Sequence, residues 1–137
     1  MSTEATRTLV RRYQDALNAG DLDALDDVVA ADVSTPDMLP GFGTGLDGVK
    51  EIARRTIEAW PDLHVAIDDL LVQDDQAVAR ITMTGTAANP FAGMLPGNGK
   101  PFRFAGAYYV RVRDGRIVEH IGTEDGVTLM QQLGLIP

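Results

Sequence analysis

The hydrophobic pattern of this sequence changes period part-way along, and the change predicts an α+β domain with helices covering one face of a strongly curved sheet. Up to Trp60 apolar residues recur at three- and four-residue steps, whereas from Leu63 onward they alternate. A further signal is Asp114-Gly115 between two alternating runs, the pattern of a two-residue hairpin. Helices first and antiparallel strands after them imply segregated packing of the two kinds of element.

Thr3 to Ala19 reads as an amphipathic helix: Ala5, Leu9, Val10, Tyr13 and Leu17 point inward, with Arg7, Arg11, Arg12, Gln14 and Asp15 between them. Gly20 suits a left-handed cap and Asp21 can cap the element that follows. Asp21 to Ala30 is expected as a short second helix, and Asp32 to Pro36 as a short strand. Leu46 to Trp60 is a third helix, stopped by Pro61-Asp62. Strands are expected over Leu63–Gln73, Gln76–Thr86, Phe102–Arg113 and Arg116–Thr123, and a closing helix over Val127–Leu133 with Gly134 as its cap.

A chain of 137 residues, 45% hydrophobic and 23% charged, is expected to be one domain over residues 1–137. It can bury roughly two-thirds of its unfolded surface, enough for a core and a cavity. The absence of Cys excludes disulfides, thiolate metal sites and a Cys nucleophile. A net charge of -8, from 20 acidic against 12 basic residues, argues against nucleic acid or an anionic membrane as partner. No signal-peptide pattern and no apolar run of about 20 residues is visible, so a cytoplasmic protein is expected.

The hairpin fixes a register. If Arg113 opposes Arg116, residues whose numbers sum to 229 lie opposite each other, and one face carries Phe102, Phe104, Gly106, Tyr108, Val110 and Val112 with Ile117, Glu119, Ile121, Thr123 and Asp125. The other carries Arg103, Tyr109, Arg111 and Arg113 with Arg116, Val118, His120 and Glu124. The aromatic face is the inner one, which puts two carboxylates, Glu119 and Asp125, among apolar side chains and His120 outside. An unpaired carboxylate in such surroundings is costly, and its pKa rises toward the range useful for acid–base work. Asp125 can equally cap the last helix, and Glu119 can pair with an Arg such as Arg80.

The segment Asn89–Gly99 is a long loop bearing Phe91, Met94 and Leu95, expected either to cover or to plug the mouth of a pocket. With Trp60, Phe104, Tyr108 and Ile121, and with Arg80 as the basic member, these residues are the expected lining for a large, flat or greasy ligand. His64 and His120 cannot supply a metal triad, no phosphate-binding loop is present, and Ser2 and Ser34 lack a His partner. No metal or cofactor is therefore expected.

Arg113-Asp-Gly-Arg-Ile-Val-Glu-His120, Glu124-Asp125 and Gln131-Gln-Leu-Gly134 resemble the C-terminal signature of SnoaL-like polyketide cyclases. Tyr13 with Asn18-Ala-Gly-Asp21, Gly45-Leu-Asp-Gly-Val49 and Trp60-Pro-Asp-Leu63 extend the resemblance over nearly the whole chain. It implies the α+β fold of the nuclear transport factor 2-like superfamily, a cone-shaped barrel of strongly curved antiparallel or mixed sheet covered by N-terminal helices. It further implies a carboxylate near the last helix, matched by Asp125, acting as the acid–base group of an intramolecular aldol closure. Tyr13 matches a tyrosine that related ketosteroid isomerases aim at an enolate oxygen, and Asp37 falls where they keep a general base. The chain departs from the family pattern at Thr35-Pro36-Asp37 and Ala87, where histidines are common, and at Ile121, where Trp is usual.

These readings make the protein a cofactor-independent cyclase or isomerase of a hydrophobic, polyketide-like small molecule. Alternatives are epoxide-hydrolase, hydroxylase-accessory or pericyclic chemistry in the same cavity, or a non-catalytic ligand-binding or dimerisation module. A homodimer or homotetramer, joined through the Arg- and Tyr-bearing outer face of the sheet, is expected.

Overall fold

Apolar spacing and two good caps make the first helix, α1 (Thr3–Ala19), which begins the computed structural model; the structure describes residues 2–137. The Ala5 N–H donates to Ser2 Oγ at 3.1 Å, and Gly20 closes the helix at φ 69°. Leu9, Val10, Tyr13 and Ala16 are buried, while Ala5 is exposed and Thr6 takes the inner position. Four residues of α1 tie it along one sheet edge, beginning with Thr3, whose Oγ1 accepts from the Asp74 N–H at 3.1 Å. The Thr6 hydroxyl donates to the Asp74 carbonyl at 2.5 Å, and Arg7 Nη1 donates to Leu70 O at 3.2 Å. Asn18 brackets the Val65 peptide, donating to its carbonyl at 2.9 Å and accepting from its N–H at 3.0 Å.

The expected second helix over Asp21–Ala30 is only a 3-10 turn, Asp23–Asp27. Val28 and Val29 are β-branched, and the strand β1 (Val29–Ser34) begins there rather than at Asp32. After a Gly-rich loop comes α2 (Gly45–Ala59), then β2 (His64–Gln73), β3 (Gln76–Thr86), β4 (Pro101–Arg113), β5 (Arg116–Glu124) and α3 (Gly126–Gln132). The sheet order is β1-β5-β4-β3-β2; β1 runs parallel to β5 and the other pairs are antiparallel. With β1 and β2 at opposite edges the mixed sheet is an open cone, not a closed barrel. The core is the inner face of β3 and β4 with β1, packed under the helices.

The Asp114-Gly115 hairpin forms as expected, both residues at positive φ (52° and 77°) and Arg113 opposite Arg116. The even register does not persist. Val112 pairs with Ile117 but Arg111 pairs with Glu119, so Val118 is an extra residue bulging from β5. Beyond it every side chain of β5 changes face. His120, Gly122 and Glu124 stand opposite Val110, Tyr108 and Gly106 on the inner face, while Glu119, Ile121 and Thr123 go outside. The physical reason is that Ile117 and Val118 are consecutive apolar residues, and only Ile117 is fully buried, among the core residues beside Val112.

Excising Val118 removes the extra residue and leaves Arg111 opposite Glu119, so His120, Gly122 and Glu124 stay on the inner face of an evenly paired β5. The variant is expected to keep the near-UV circular dichroism of the cavity aromatics and to melt within a few degrees of the wild type. A fall of roughly 10 °C or more with loss of the aromatic spectrum would place the bulge elsewhere.

Candidate active site

The helices and the inner sheet face enclose a cavity of two adjoining lobes, about 310 Å³ and about 630 Å³. The smaller lies between the C-terminal halves of α1 and α2; the larger lies below the Met38–Leu39 loop, the Phe91–Leu95 loop and the start of α3. Tyr13, Ile52, Trp60, Met83, His120 and Glu124 line both. The inner face of β5 thus delivers its two titratable side chains to the wall the lobes share.

His120 is held between two tyrosines. Its ring stacks on Tyr108 (centroids 5.0 Å, planes at 26°) and lies 5.5 Å from Tyr13, which meets Tyr108 edge-on at 5.9 Å. Burial lowers the imidazole pKa, a shift the neighbouring Asp37 carboxylate opposes. The ring is accordingly neutral near pH 7 and able to accept a proton. Burial also raises the Tyr13 hydroxyl, reinforced by Asp37, so Tyr13 remains a donor throughout the ordinary pH range. The Tyr108 hydroxyl, raised mainly by burial, donates to Gln14 Oε1 at 3.1 Å. Gln14 Nε2 and Trp60 Nε1 are buried without an acceptor, each at a cost of about 1–3 kcal/mol.

Glu124 keeps accessible surface because it faces the cavity, yet the enclosing protein raises its carboxyl pKa, with Asp37 adding to the shift. Room for it comes from Gly106 directly opposite: a Cβ there would meet Thr123 O at 2.9 Å, Met83 Cε at 3.2 Å and Glu124 Cγ at 3.4 Å. Asp37 stands in the larger lobe where β1 has ended. Its Oδ2 accepts from the Gly122 N–H at 2.7 Å, a β5 donor for which β1 supplies no paired residue beyond Ser34.

Of the expected site residues, Tyr13, Trp60, Asp37, Phe91, Met94, Leu95 and Tyr108 line the cavity. Phe91 is buried and stacks on Trp60 (5.3 Å, 23°), whose other neighbour is Phe102, while Met94 remains exposed at the rim. Phe104 lies behind that aromatic row, against Phe102, and lines neither lobe. Four expectations are corrected. Asp125 is an exposed cap of α3: Thr128 N–H donates to its Oδ1 at 3.1 Å and Thr128 Oγ1 to its Oδ2 at 2.6 Å, and these bonds hold its pKa low. Glu119 and Ile121 lie on the outer face because of the bulge, and neither lines the cavity. Arg80, far from Glu119, is an exposed outer-face residue bound to Asp69, its Nη2 lying 2.6 Å from Oδ2. His120 and Glu124, assigned to the outer face by the even register, are the residues the sequence reading missed. The signal that could have found them was the Ile117-Val118 doublet, which breaks strict alternation.

The family model for SnoaL-like polyketide cyclases matches residues 7–133. The chain belongs to the SnoaL-like polyketide cyclase family. Among solved structures, this SnoaL-like chain is similar to TsrD from Streptomyces laurentii at 29% identity and TM-score 0.89, covering 99% of each chain. It is 31% identical to IdmH from Streptomyces antibioticus, a proposed polyketide cyclase, with TM-score 0.82 and coverage of 94% of this chain and 98% of that one. AclR from Streptomyces galilaeus, a proposed hydroxylase, follows at 25% identity and TM-score 0.83, covering 99% and 89%. Comparison with curated proteins returns no match.

Asp125→Ala should lower the melting temperature by a few degrees, because a helix cap is lost. The near-UV circular dichroism of the cavity aromatics should be unchanged. A perturbed aromatic spectrum would mean that Asp125 reaches the cavity wall.

Proposed function

We propose that this SnoaL-like chain is a cofactor-independent cyclase or isomerase that moves a proton on a hydrophobic, polyketide-like ketone. The observation that carries the reading is the placement of Glu124 and His120 on the one wall common to two apolar lobes. Glu124, rather than Asp125, is the acid–base carboxyl. It takes a proton from the carbon next to the substrate carbonyl, and Tyr13 donates a hydrogen bond to the oxygen on which negative charge develops. In an aldol closure the new carbon–carbon bond forms from that enolate, and the proton held by Glu124 passes to the alkoxide. His120, neutral and clamped between tyrosines, is a second acceptor for the same proton. Asp37 orders the mouth and sets the field that favours protonated neighbours.

A model ketone tests this without knowledge of the substrate. The full chain should catalyse deuterium exchange from heavy water into 2-tetralone, and Glu124→Gln should slow it by about 10²-fold or more. Exchange by the wild type no faster than in buffer would favour a non-catalytic binding module, and unaltered exchange in Glu124→Gln would remove the carboxyl from the mechanism. A stability measurement accompanies it. The raised pKa of Glu124 means that its stabilising contribution is full below the ordinary glutamate value of 4.5 and is lost as pH rises through the folded value. Glu124→Gln should therefore melt above the wild type near neutral pH and together with it in acid.

Pairing of two copies through the outer sheet face belongs to the same reading. Leu71, Val78, Tyr109 and Ile121 are successive cross-strand neighbours and form an apolar row across β2, β3, β4 and β5. Leu71 is 71% exposed, far more than a strand residue of its type usually is. Asp69 with Arg80 on one side, and Arg111 with Glu119 on the other, keep charge locally balanced although the chain is acidic overall. Val78→Asp should convert a dimer to monomer in sedimentation velocity; a wild-type monomer would dismiss the pairing.

A further inference from the structure

The two lobes of the cavity differ in chemistry. Among the described residues, the groups that can carry a proton in the reaction, Glu124 and His120, stand on the shared wall, and Asp37 stands in the larger lobe. The smaller lobe, between α1 and α2, adds walls of Leu17, Ala53, Ile57, Val65 and Ile81. Of its polar members, Tyr108 donates to Gln14 Oε1 and Asn18 uses both ends of its amide on Val65, which leaves Gln14 Nε2 as an unpaired amide donor. The lobe therefore offers apolar contact area, one amide N–H and no group of its own that exchanges a proton in the reaction. It is also not a dead end. Ala19, Gly20 and Pro61 line its far side and are exposed, so it reaches the surface between the C-terminal ends of the two helices. The larger lobe reaches the surface separately, beside Leu39 and Met94.

We propose that the lobe between α1 and α2 is a distinct subsite for an unreactive hydrocarbon arm, so that the substrate is elongated, runs through the cavity and reacts at its middle. This deepens the acid–base reading of the same cavity, since the reacting carbon is the one that lies at the wall bearing Glu124. Apolar recognition of this kind is graded by length: each further methylene buried raises affinity by up to about fourfold. A closed pocket of reacting size would show no such ladder.

The test uses the full chain and neutral probes. N-phenyl-1-naphthylamine is bound and displaced by saturated ketones from 2-octanone to 2-tetradecanone. Wild-type affinity is expected to climb with chain length. Ala53→Trp and Ile57→Trp, each filling only the smaller lobe, are expected to flatten the climb while leaving 2-octanone within twofold. Circular dichroism identifies which variant is folded. A flat wild-type series overturns the proposal without any variant, as does a folded variant that retains the climb or loses every ketone equally. Because displacement measures binding alone, failure of the acid–base reading is seen separately, as retained exchange in Glu124→Gln beside an intact length ladder.

Discussion

The chemistry of the cavity depends on one unpaired residue in a strand. Because side chains of a strand alternate with a period of two, a single extra residue exchanges the two faces of everything beyond it. Val118 is that residue. Before it, β5 contributes Ile117 to the hydrophobic core; after it, β5 contributes His120 and Glu124 to the cavity. An evenly paired strand would instead have buried Glu119, Ile121 and Thr123, and the tyrosines of α1 and β4 would have no imidazole between them.

The surroundings then adapt to what the bulge delivers. Gly106 leaves space opposite Glu124, and Tyr13 and Tyr108 close on both sides of His120. The end of β1 leaves a β5 N–H to be taken by Asp37. Two of these arrangements carry a cost: a carboxyl is held in enclosed surroundings and buried amide and indole donors lack acceptors. Such costs concentrate where function requires them. They are offset by a core in which Ala77, Ala79, Ile81 and Met83 of β3 pack beside Phe102, Phe104, Tyr108, Val110 and Val112 of β4.

Most of the fold is legible from periodicity. The boundaries of α1, α2 and the four long strands fall within a residue or two of those the hydrophobic pattern predicts, because each has one clearly apolar face. The segment from Asp21 to Ser34 is less legible because its apolar residues fit no single period. Leu22 and Leu25 fit a helix, but Val28 and Val29 prefer a strand and find one beside Ile117. The site is half legible. Tyr13, Trp60 and the loop residues Phe91 and Leu95 follow from helical spacing and from the cost of leaving aromatics in solvent. The polar wall does not follow, because the hairpin turn constrains only the pairs nearest to it and the bulge comes immediately after. Family resemblance pointed to the correct end of β5 but to the residue beside the one that faces the cavity.

The long connection between β3 and β4 carries a mechanical consequence. Asn89 closes the C-terminal end of α2, donating from its backbone to Ala59 O at 3.0 Å and from its side chain to Glu58 O at 2.9 Å. Asn98, at the other end, donates to Leu133 O just past α3 at 2.9 Å. The connection is thus anchored to two helices, and swinging it away as a unit would leave carbonyls at the ends of both without their donors. Between the anchors Ala92 and Gly93 turn at positive φ, closed by the Met94 N–H on Phe91 O at 2.8 Å. The rim of the larger lobe is thus a fingertip on an arm held at both ends.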